Sequence, residues 1–376
     1  MNSMNKILST VILLGFILLC GCNTQPSPIR SGELWPDNNG EHINAHGGGV
    51  MYHDGTYYWF GENKCDTTSS AMVGVMCYSS QNLTDWKNEG VALAVEDNDS
   101  SDITRGCILE RPKVVYNAKT GKFVMWLHLE LKGKGYEAAR SGVAVSDTPT
   151  GPYRFIRSGR VNAGKLPFDM DEQAQATMDT LNALHYAKWW TPQWVDAVGK
   201  GLILKRDFEG GQMARDMTVY VDDDGKAYHI FASEENLTLH IAELSDDYLS
   251  HTGKYVRVAP AGQNEAPAIF KKDGMYWMIT SGCTGWAPNE ARMFSAPSIW
   301  GPWTQHPNPC VGPNREITFG GQSTYILKVE GRKDCFIFMG DIWRPEHPSD
   351  ARYIWLPIQF KDGVPVVEWK DSWTLD

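Results

Sequence analysis

The chain is short of positive charge. Its 35 Lys and Arg face 45 Asp and Glu, for a net charge of −10 and a pI near 5.5. A nucleic-acid partner would call for a basic face, so that class of partner is not expected. Cysteine is also sparse, 8 of 376 residues. The six beyond the N-terminal segment, Cys65, Cys77, Cys107, Cys283, Cys310 and Cys335, form no C-x-x-C pair and no zinc-ligand spacing. No metal site is predicted, and buried free thiols are the expectation for most of them. The N-terminal apolar run over residues 7–19 is too short to cross a bilayer. Aromatics, by contrast, are plentiful: 15 Trp and 15 Tyr. Clefts rich in such rings stack on apolar ligand faces. With 42% hydrophobic residues, a core can be buried, and 376 residues is within reach of one large all-β domain.

The N-terminus reads as an address. Lys6 followed by the short apolar run makes a secretory signal. Leu19-Cys20-Gly21-Cys22 resembles a bacterial lipobox, which implies cleavage before Cys22 and a lipid on its thiol. The plain alternative is an ordinary signal peptide with a nearby cleavage site. The expected division is signal peptide 1–21, tether 22–39 and one domain over 40–376. The expected location is exported and lipid-anchored to a bacterial membrane, with membrane contact through the lipid only. A monomer is expected.

The rest of the chain repeats one pattern: an apolar strand, a turn at or near Gly, then an aromatic strand. It occurs at Val50-Met51-Tyr52 with Tyr57-Tyr58-Trp59-Phe60, and at Val114-Val115-Tyr116 with Phe123-Val124-Met125-Trp126. It returns at Thr218-Val219-Tyr220, at Ala268-Ile269-Phe270 and at Tyr325-Ile326-Leu327, each with its own aromatic partner strand. Each hairpin is followed by a third strand and usually a polar fourth carrying Trp or Tyr. Four-stranded units of roughly 40–50 residues are the period of propellers. The fold class expected is all-β, a five-bladed β-propeller of four-stranded antiparallel blades. Two stacked sheets are the alternative. Between the second and third hairpins lies an insertion, about 162–213, whose part 169–200 reads as helical or loop-like and carries Trp189, Trp190 and Trp194.

In a propeller the first strand of each blade lines the axis, so the residues just before it share one level. Here they are Asn44-Ala45-His46-Gly47, Leu109-Glu110-Arg111-Pro112, Ala214-Arg215-Asp216, Asn264-Glu265-Ala266-Pro267 and Gly321-Gln322-Ser323. Two carboxylates across a cleft are the equipment of glycoside hydrolysis. The acid must stay protonated near neutral pH, which burial beside a negative charge achieves.

Several of these motifs, in order, resemble glycoside hydrolase family 43. They are Asn44-Ala45-His46-Gly47-Gly48-Gly49, Gly61-Glu62, Leu109-Glu110-Arg111-Pro112-Lys113-Val114, Glu265-Ala266-Pro267, Gly285-Trp286-Ala287-Pro288-Asn289, Gln322 and Met339-Gly340-Asp341-Ile342-Trp343-Arg344-Pro345. More narrowly they resemble its exo-β-1,3-galactanase-like branch, and the insertion resembles that of members from gut Bacteroidetes lipoproteins. The resemblance implies Glu265 as general acid, Glu110 as the carboxylate that holds substrate hydroxyls or tunes the acid, and Gln322 as the amide that positions the attacking water. It implies an inverting reaction. Most of the family carries an Asp base in the first blade, and this chain has Asn44-Ala45-His46-Gly47 there.

Other positions carry paired readings. His46 is a candidate to line the channel floor, orient substrate or hold a water, against a satisfied buried histidine. Asn44 is a candidate substrate contact. Asp216 would contact sugar or pair with Arg215, and Glu110 has Arg111 as its structural alternative. Trp286 and Trp343 are the candidate sugar platform, and Glu62 and Arg344 are sugar contacts or ion-pair members. Asp222-Asp223-Asp224-Gly225 reads as a hairpin turn rather than a calcium loop, and Glu234-Glu235-Asn236 as a rim feature. No cofactor is expected. The substrate expected is a plant-type polysaccharide or oligosaccharide, galactan or arabinogalactan. An α-L-arabinofuranosidase and a sugar-binding propeller without turnover are the alternatives.

Overall fold

A computed structural model describes residues 27–186 and 188–375. The signal peptide and Cys22 lie outside the described residues. Five sheets are arranged in chain order. Blade one is β1 (His46–His53), β2 (Thr56–Glu62), β3 (Gly74–Ser80) and β4 (Lys87–Ala94). Blade two is β5 (Ile108–Asn117), β6 (Lys122–Glu130), β7 (Arg140–Ser146) and β8 (Arg154–Gly159). Blade three is β9 (Met217–Val221), β10 (Ala227–Ser233), β11 (Thr238–Leu244) and β12 (His251–Val258). Blade four is β13 (Glu265–Lys272), β14 (Met275–Ser281), β15 (Ala291–Ala296) and β16 (Thr304–His306). Blade five differs from the expected four strands. It holds β18 (Gln322–Lys328), β19 (Phe336–Ile342), β20 (Arg352–Lys361) and β21 (Val364–Glu368), and the short β17 (Cys310–Val311) joins its outer edge in parallel.

The core is a ring of cores. One apolar cluster fills each contact between neighbouring blades, for example Met51, Phe60, Val114 and Met125 between blades one and two. Because a blade packs on both faces, its second strand loses the in–out alternation of a surface sheet: β6 is buried at every residue after its first. The seam between blades five and one is the most aromatic, with Trp59, Trp86, Tyr353 and Trp355 together. Truncating one such buried Trp costs about 3–5 kcal/mol.

The stretch expected as a tether is part of this seam. Ile29 is 1% exposed and exchanges backbone hydrogen bonds with Trp373. Trp35 packs edge-on against both Trp59 and Trp355, with ring centroids 5.6 and 4.9 Å away. A proximal apolar surface on two blades was available to cover, which composition alone did not reveal. The ordered domain therefore begins well before residue 40.

The insertion folds as expected into short helices, α1 (Glu172–Thr180), α2 (Pro192–Gly199) and α3 (Leu202–Arg206). Asp171 caps α1 by accepting the Ala174 N–H, and Thr191 caps α2, with Pro192 in its first turn. Trp194, Val198, Leu202, Ile203 and Leu237 form a small core of their own. Trp189 stacks on Trp194 with centroids 5.1 Å apart.

Candidate active site

Four of the five inner strands slip register just after their first residues. The slips fall between His46 and Gly49, Glu110 and Lys113, Glu265 and Ala268, and Ser323 and Tyr325. Bulges re-aim side chains, and here they turn His46, Glu110, Glu265 and Gln322 toward one mouth. Proline fits at such a break because it cannot donate to the ladder. Pro112 and Pro267 follow Arg111 and Ala266, whose φ values are +55° and +50°. Gly47, at φ +63°, must be glycine: a Cβ there would strike the Glu62 carboxylate.

The mouth opens into a pocket of about 320 Å³ lined by His46, Glu62, Glu110, Asp216, Glu265, Trp286, Gln322 and Trp343 among others. Arg111 stands at its centre. Its guanidinium holds both oxygens of Asp216, Nε to Oδ1 at 3.1 Å and Nη2 to Oδ2 at 2.8 Å, and also bonds Gln322 Oε1. The other end of that amide donates to Ser281 Oγ at 2.8 Å. Gln322 is thus a fixed neutral group.

Glu265 is pushed up to about 7, first by burial and then by the negative charge of Asp216, against the pull of Arg111 and Asn236. Asn236 Nδ2 donates to its Oε1 at 2.6 Å. The Cys283 thiol also bonds this carboxyl. Glu110 goes the other way. Burial works to raise it, but the His128 contact, the Lys64 charge and the Tyr136 bond outweigh burial and hold it well below the usual carboxylate range. Tyr136 OH donates to Glu110 Oε1 at 2.8 Å, and His128 Nδ1 lies 3.1 Å from Oε2. The other imidazole nitrogen meets buried Glu130 at 2.9 Å. Burial opposes the charge on His128, yet the two carboxylates lift it to about 9.

Asp341, the cross-strand partner of Gln322, is raised to about 7 by burial, against the Gly47 N–H it accepts and the nearby Arg111. Glu62, 3% exposed, is raised by burial and pairs with Lys64. Burial, Lys64 and Arg111 push His46 well below its ordinary value, so it is neutral. Glu110, His128 and Asp216 bring ligand atoms within 4.8 Å of one another, as a metal would need. Their charges are already answered, Asp216 by Arg111 and Glu110 by His128, so the trio reads as an ion-pair cluster.

The sequence profile named Glycosyl hydrolases family 43 matches residues 172–365. A solved family 43 β-1,3-galactosidase with galactodeoxynojirimycin is 61% identical and superposes at a TM-score of 0.90, over 92% of this chain and all of that one. The chain belongs to glycoside hydrolase family 43. A variant of the exo-β-1,3-galactanase from Phanerochaete chrysosporium with β-1,3-galactotriose is 30% identical, TM-score 0.74, over 94% of this chain and 69% of that one. The exo-β-1,3-galactanase from Clostridium thermocellum is 34% identical, TM-score 0.74, over 93% of this chain and 67% of that one. A β-D-galactofuranosidase of Aspergillus niger is 30% identical over 129 residues, 31% of this chain; the match spans little more than a third, 37%, of that relative.

Within this family 43 pocket, most sequence candidates meet. Glu265, Glu110, Gln322, His46, Glu62, Asp216, Trp286 and Trp343 all line it. The Trp286 and Trp343 rings lie 5.3 Å apart, and Trp286 is 59% exposed, as a stacking surface must be. Two candidates fall outside. Asn44 clamps the backbone of Lys64, donating to its carbonyl at 2.8 Å and accepting its N–H at 2.9 Å. Arg344 pairs with Asp350 at the surface and lines no part of the pocket. The alternatives within motifs also resolve: Glu110 does not pair with Arg111, and Asp216 pairs with Arg111 rather than Arg215. Glu234-Glu235-Asn236 is no rim feature, since Glu234 is fully buried and Asn236 touches Glu265.

The residues missed are Lys64, His128, Tyr136, Asn236 and Asp341. His128 with Glu130, and Asp341 with Trp343, stand two apart on strands or just past them, so each pair faces one way. A polar residue at that spacing from a second polar residue or a Trp, within an apolar or aromatic strand, was the available signal.

Proposed function

We propose that the protein is an exo-acting glycoside hydrolase that releases galactose from β-1,3-linked galactan, with inversion. The observation that carries this reading is a carboxyl held near 7 at Glu265, in a pocket walled by Trp286 and Trp343. The similarity to β-1,3-galactosidases and galactanases over more than nine-tenths of the chain supports galactose as the sugar. In this mechanism the ring stacks on the tryptophans while Glu110 and Asp216 hold hydroxyls. Glu265 gives its proton to the glycosidic oxygen, and water attacks from the opposite face. Gln322 orients that water. Asp341, across the strand pairing from Gln322 and lining the same pocket, takes up the proton of the water.

The test is product analysis on β-1,3-galacto-oligosaccharides and on α-L-arabinofuranosides, with proton NMR of the first anomer formed. Galactose released one unit at a time supports the reading. Arabinose release would replace it with the arabinofuranosidase reading, and tight binding without product with the sugar-binding one. We also infer export and lipid anchoring at Cys22, supported by Leu19-Cys20-Gly21-Cys22. Loss of membrane association in Cys22→Ala is the expected result, and unchanged fractionation would refute it.

A further inference from the structure

None of the described residues of the insertion lines the catalytic pocket. The insertion nonetheless grips the element that touches the acid. Residues 234–237 turn from β10 into β11, and three of them in a row, Glu234, Glu235 and Asn236, have φ of +52°, +60° and +62°. Consecutive non-glycine residues in that region persist only where surroundings over-determine them. The insertion holds Leu237 and Glu235 directly and Glu234 through Arg257 of β12; His240 of β11 also bonds Glu234, and Asn236 is held by the acid and, at its carbonyl, by the Cys283 thiol.

Leu237 is fully buried in the insertion's core among Trp194, Val198, Leu202 and Ile203. Glu235 pairs with Arg206 of α3 at 2.9 Å and with Arg215 at 3.3 Å. Glu234 takes a two-pronged pair from Arg257, Nε and Nη2 each at 2.7 Å. The same guanidinium donates to the carbonyls of Val198 and Gly199 at the end of α2, at 2.9 and 3.0 Å. Asn236, the last left-handed residue, puts its amide on Glu265.

We propose that the insertion is a clamp: by holding the 234–237 turn in its left-handed form, Arg206 and Arg257 act as positioning residues that keep Asn236 on the general acid. This rests on the assignment of Glu265 as that acid. The groups facing Glu265 are Asp216 and Arg111, which come from blades three and two, Cys283 after β14, and Asn236. Cys283 donates to the Asn236 carbonyl and so is tied to the same turn, but of the four only Asn236 belongs to that turn. Its hydrogen bond favours the ionised carboxyl, so its loss raises Glu265 further, and the alkaline limb of the rate profile moves to higher pH.

The experiment compares Arg206→Ala, Arg206→Lys, Asn236→Ala and the Arg206→Ala/Asn236→Ala pair, with Lys200→Ala, a solvent ion pair of α2, as control. Two readouts are taken: kcat and KM across pH on an aryl galactoside, and the titration of Glu265 by difference infrared spectroscopy with labelled glutamate. Expected for Arg206→Ala is a kcat about tenfold lower with KM within about twofold, since misplacement of a catalytic group acts on the chemical step. The Glu265 titration moves up as in Asn236→Ala, the double variant is no worse than Asn236→Ala alone, and Arg206→Lys recovers part of the loss. The proposal is overturned if Arg206→Ala leaves kcat and the titration at wild-type values while Asn236→Ala changes them, or if the two losses multiply. Should the wild type turn over no galactoside, the functional reading fails, and the infrared titration still decides the clamp.

Discussion

Glu110 and Glu265 begin as the same thing: a half-buried glutamate at the head of an inner strand, next to a register slip and one residue before a positive-φ residue and a proline. Their affinities for a proton end far apart, Glu265 raised to about 7 and Glu110 held below the usual carboxylate range. Glu110 faces a histidine held as a cation between two carboxylates, with Lys64 nearby and a tyrosine donating to it. Glu265 faces a carboxylate, a neutral amide and a thiol, with its nearest cation already taken by Asp216. Burial penalises both charges equally in kind, so the neighbours decide. The strand places the carboxyl, and its neighbours choose its proton: His128 and Tyr136 of the same blade with Lys64 of blade one for Glu110, and mainly residues of blades two and three for Glu265.

Breaking either side of that contrast has a graded outcome. Removing the acid is the largest. Glu265→Gln is expected to lower kcat on oligosaccharides by about 10³-fold, within the range of general acid catalysis, and far less on substrates with an acidic leaving group. Next, Glu110→Gln or Asp341→Asn should each cost about 10²-fold in kcat/KM. Wild-type activity should be bell-shaped around neutrality, because Glu265 near 7 must be protonated while Asp341 near 7 must be ionised. Asp341→Asn removes the acidic limb; retention of both limbs would show that another group accepts the proton.

A third effect appears in stability. His128 is raised to about 9, so its contribution is complete below its unfolded value near 6.5 and is lost as pH rises through about 9. Glu110 is depressed, so its share is present above the ordinary carboxylate range and lost as pH falls. Melting temperature should therefore fall between pH 6.5 and 9.5, and the slope should flatten in His128→Gln. Smallest is Tyr136→Phe, which removes one hydrogen bond to a charged carboxylate at the rim and should lower kcat/KM about fivefold, within what one such bond contributes.

The blades were legible because each hairpin announces itself twice, by a turn residue and by an aromatic strand such as Tyr57-Tyr58-Trp59-Phe60. The heads of the inner strands followed from that alignment, which is why Glu110, Glu265 and Gln322 stood out. Their neighbours did not. His128 and Asp341 sit on second strands whose polar residues look like gaps in an apolar run, and Asn236 lies in a turn whose geometry depends on Arg206 and Arg257 elsewhere in the chain. Asn44 lies outside the pocket, and Arg344 takes its ion-pair alternative with Asp350, because sharing a motif with site residues does not fix where a side chain points. The tether failed for a related reason: Ile29 and Trp35 are covered in part by Trp373 and Trp355, partners more than 300 residues away.

That last distance has a consequence for how the protein is made. Every blade is built from one continuous run of chain, so no strand is shared across the seam. The ring is closed instead by contacts such as Ser31 to Trp355, separated by 324 residues. On a growing chain the segment around Ile29 emerges first and finds its partners only after the fifth blade exists. Local hairpins form fast and distant pairings slowly, so the beginning of the sequence is expected to be the last part of the ring to settle. Pulse-labelled hydrogen exchange would see this as late protection of the Ile29 and Gly32 amides, which bond Trp373 and Tyr353. Protection in step with the hairpin amides would mean that the seam forms along with the blades.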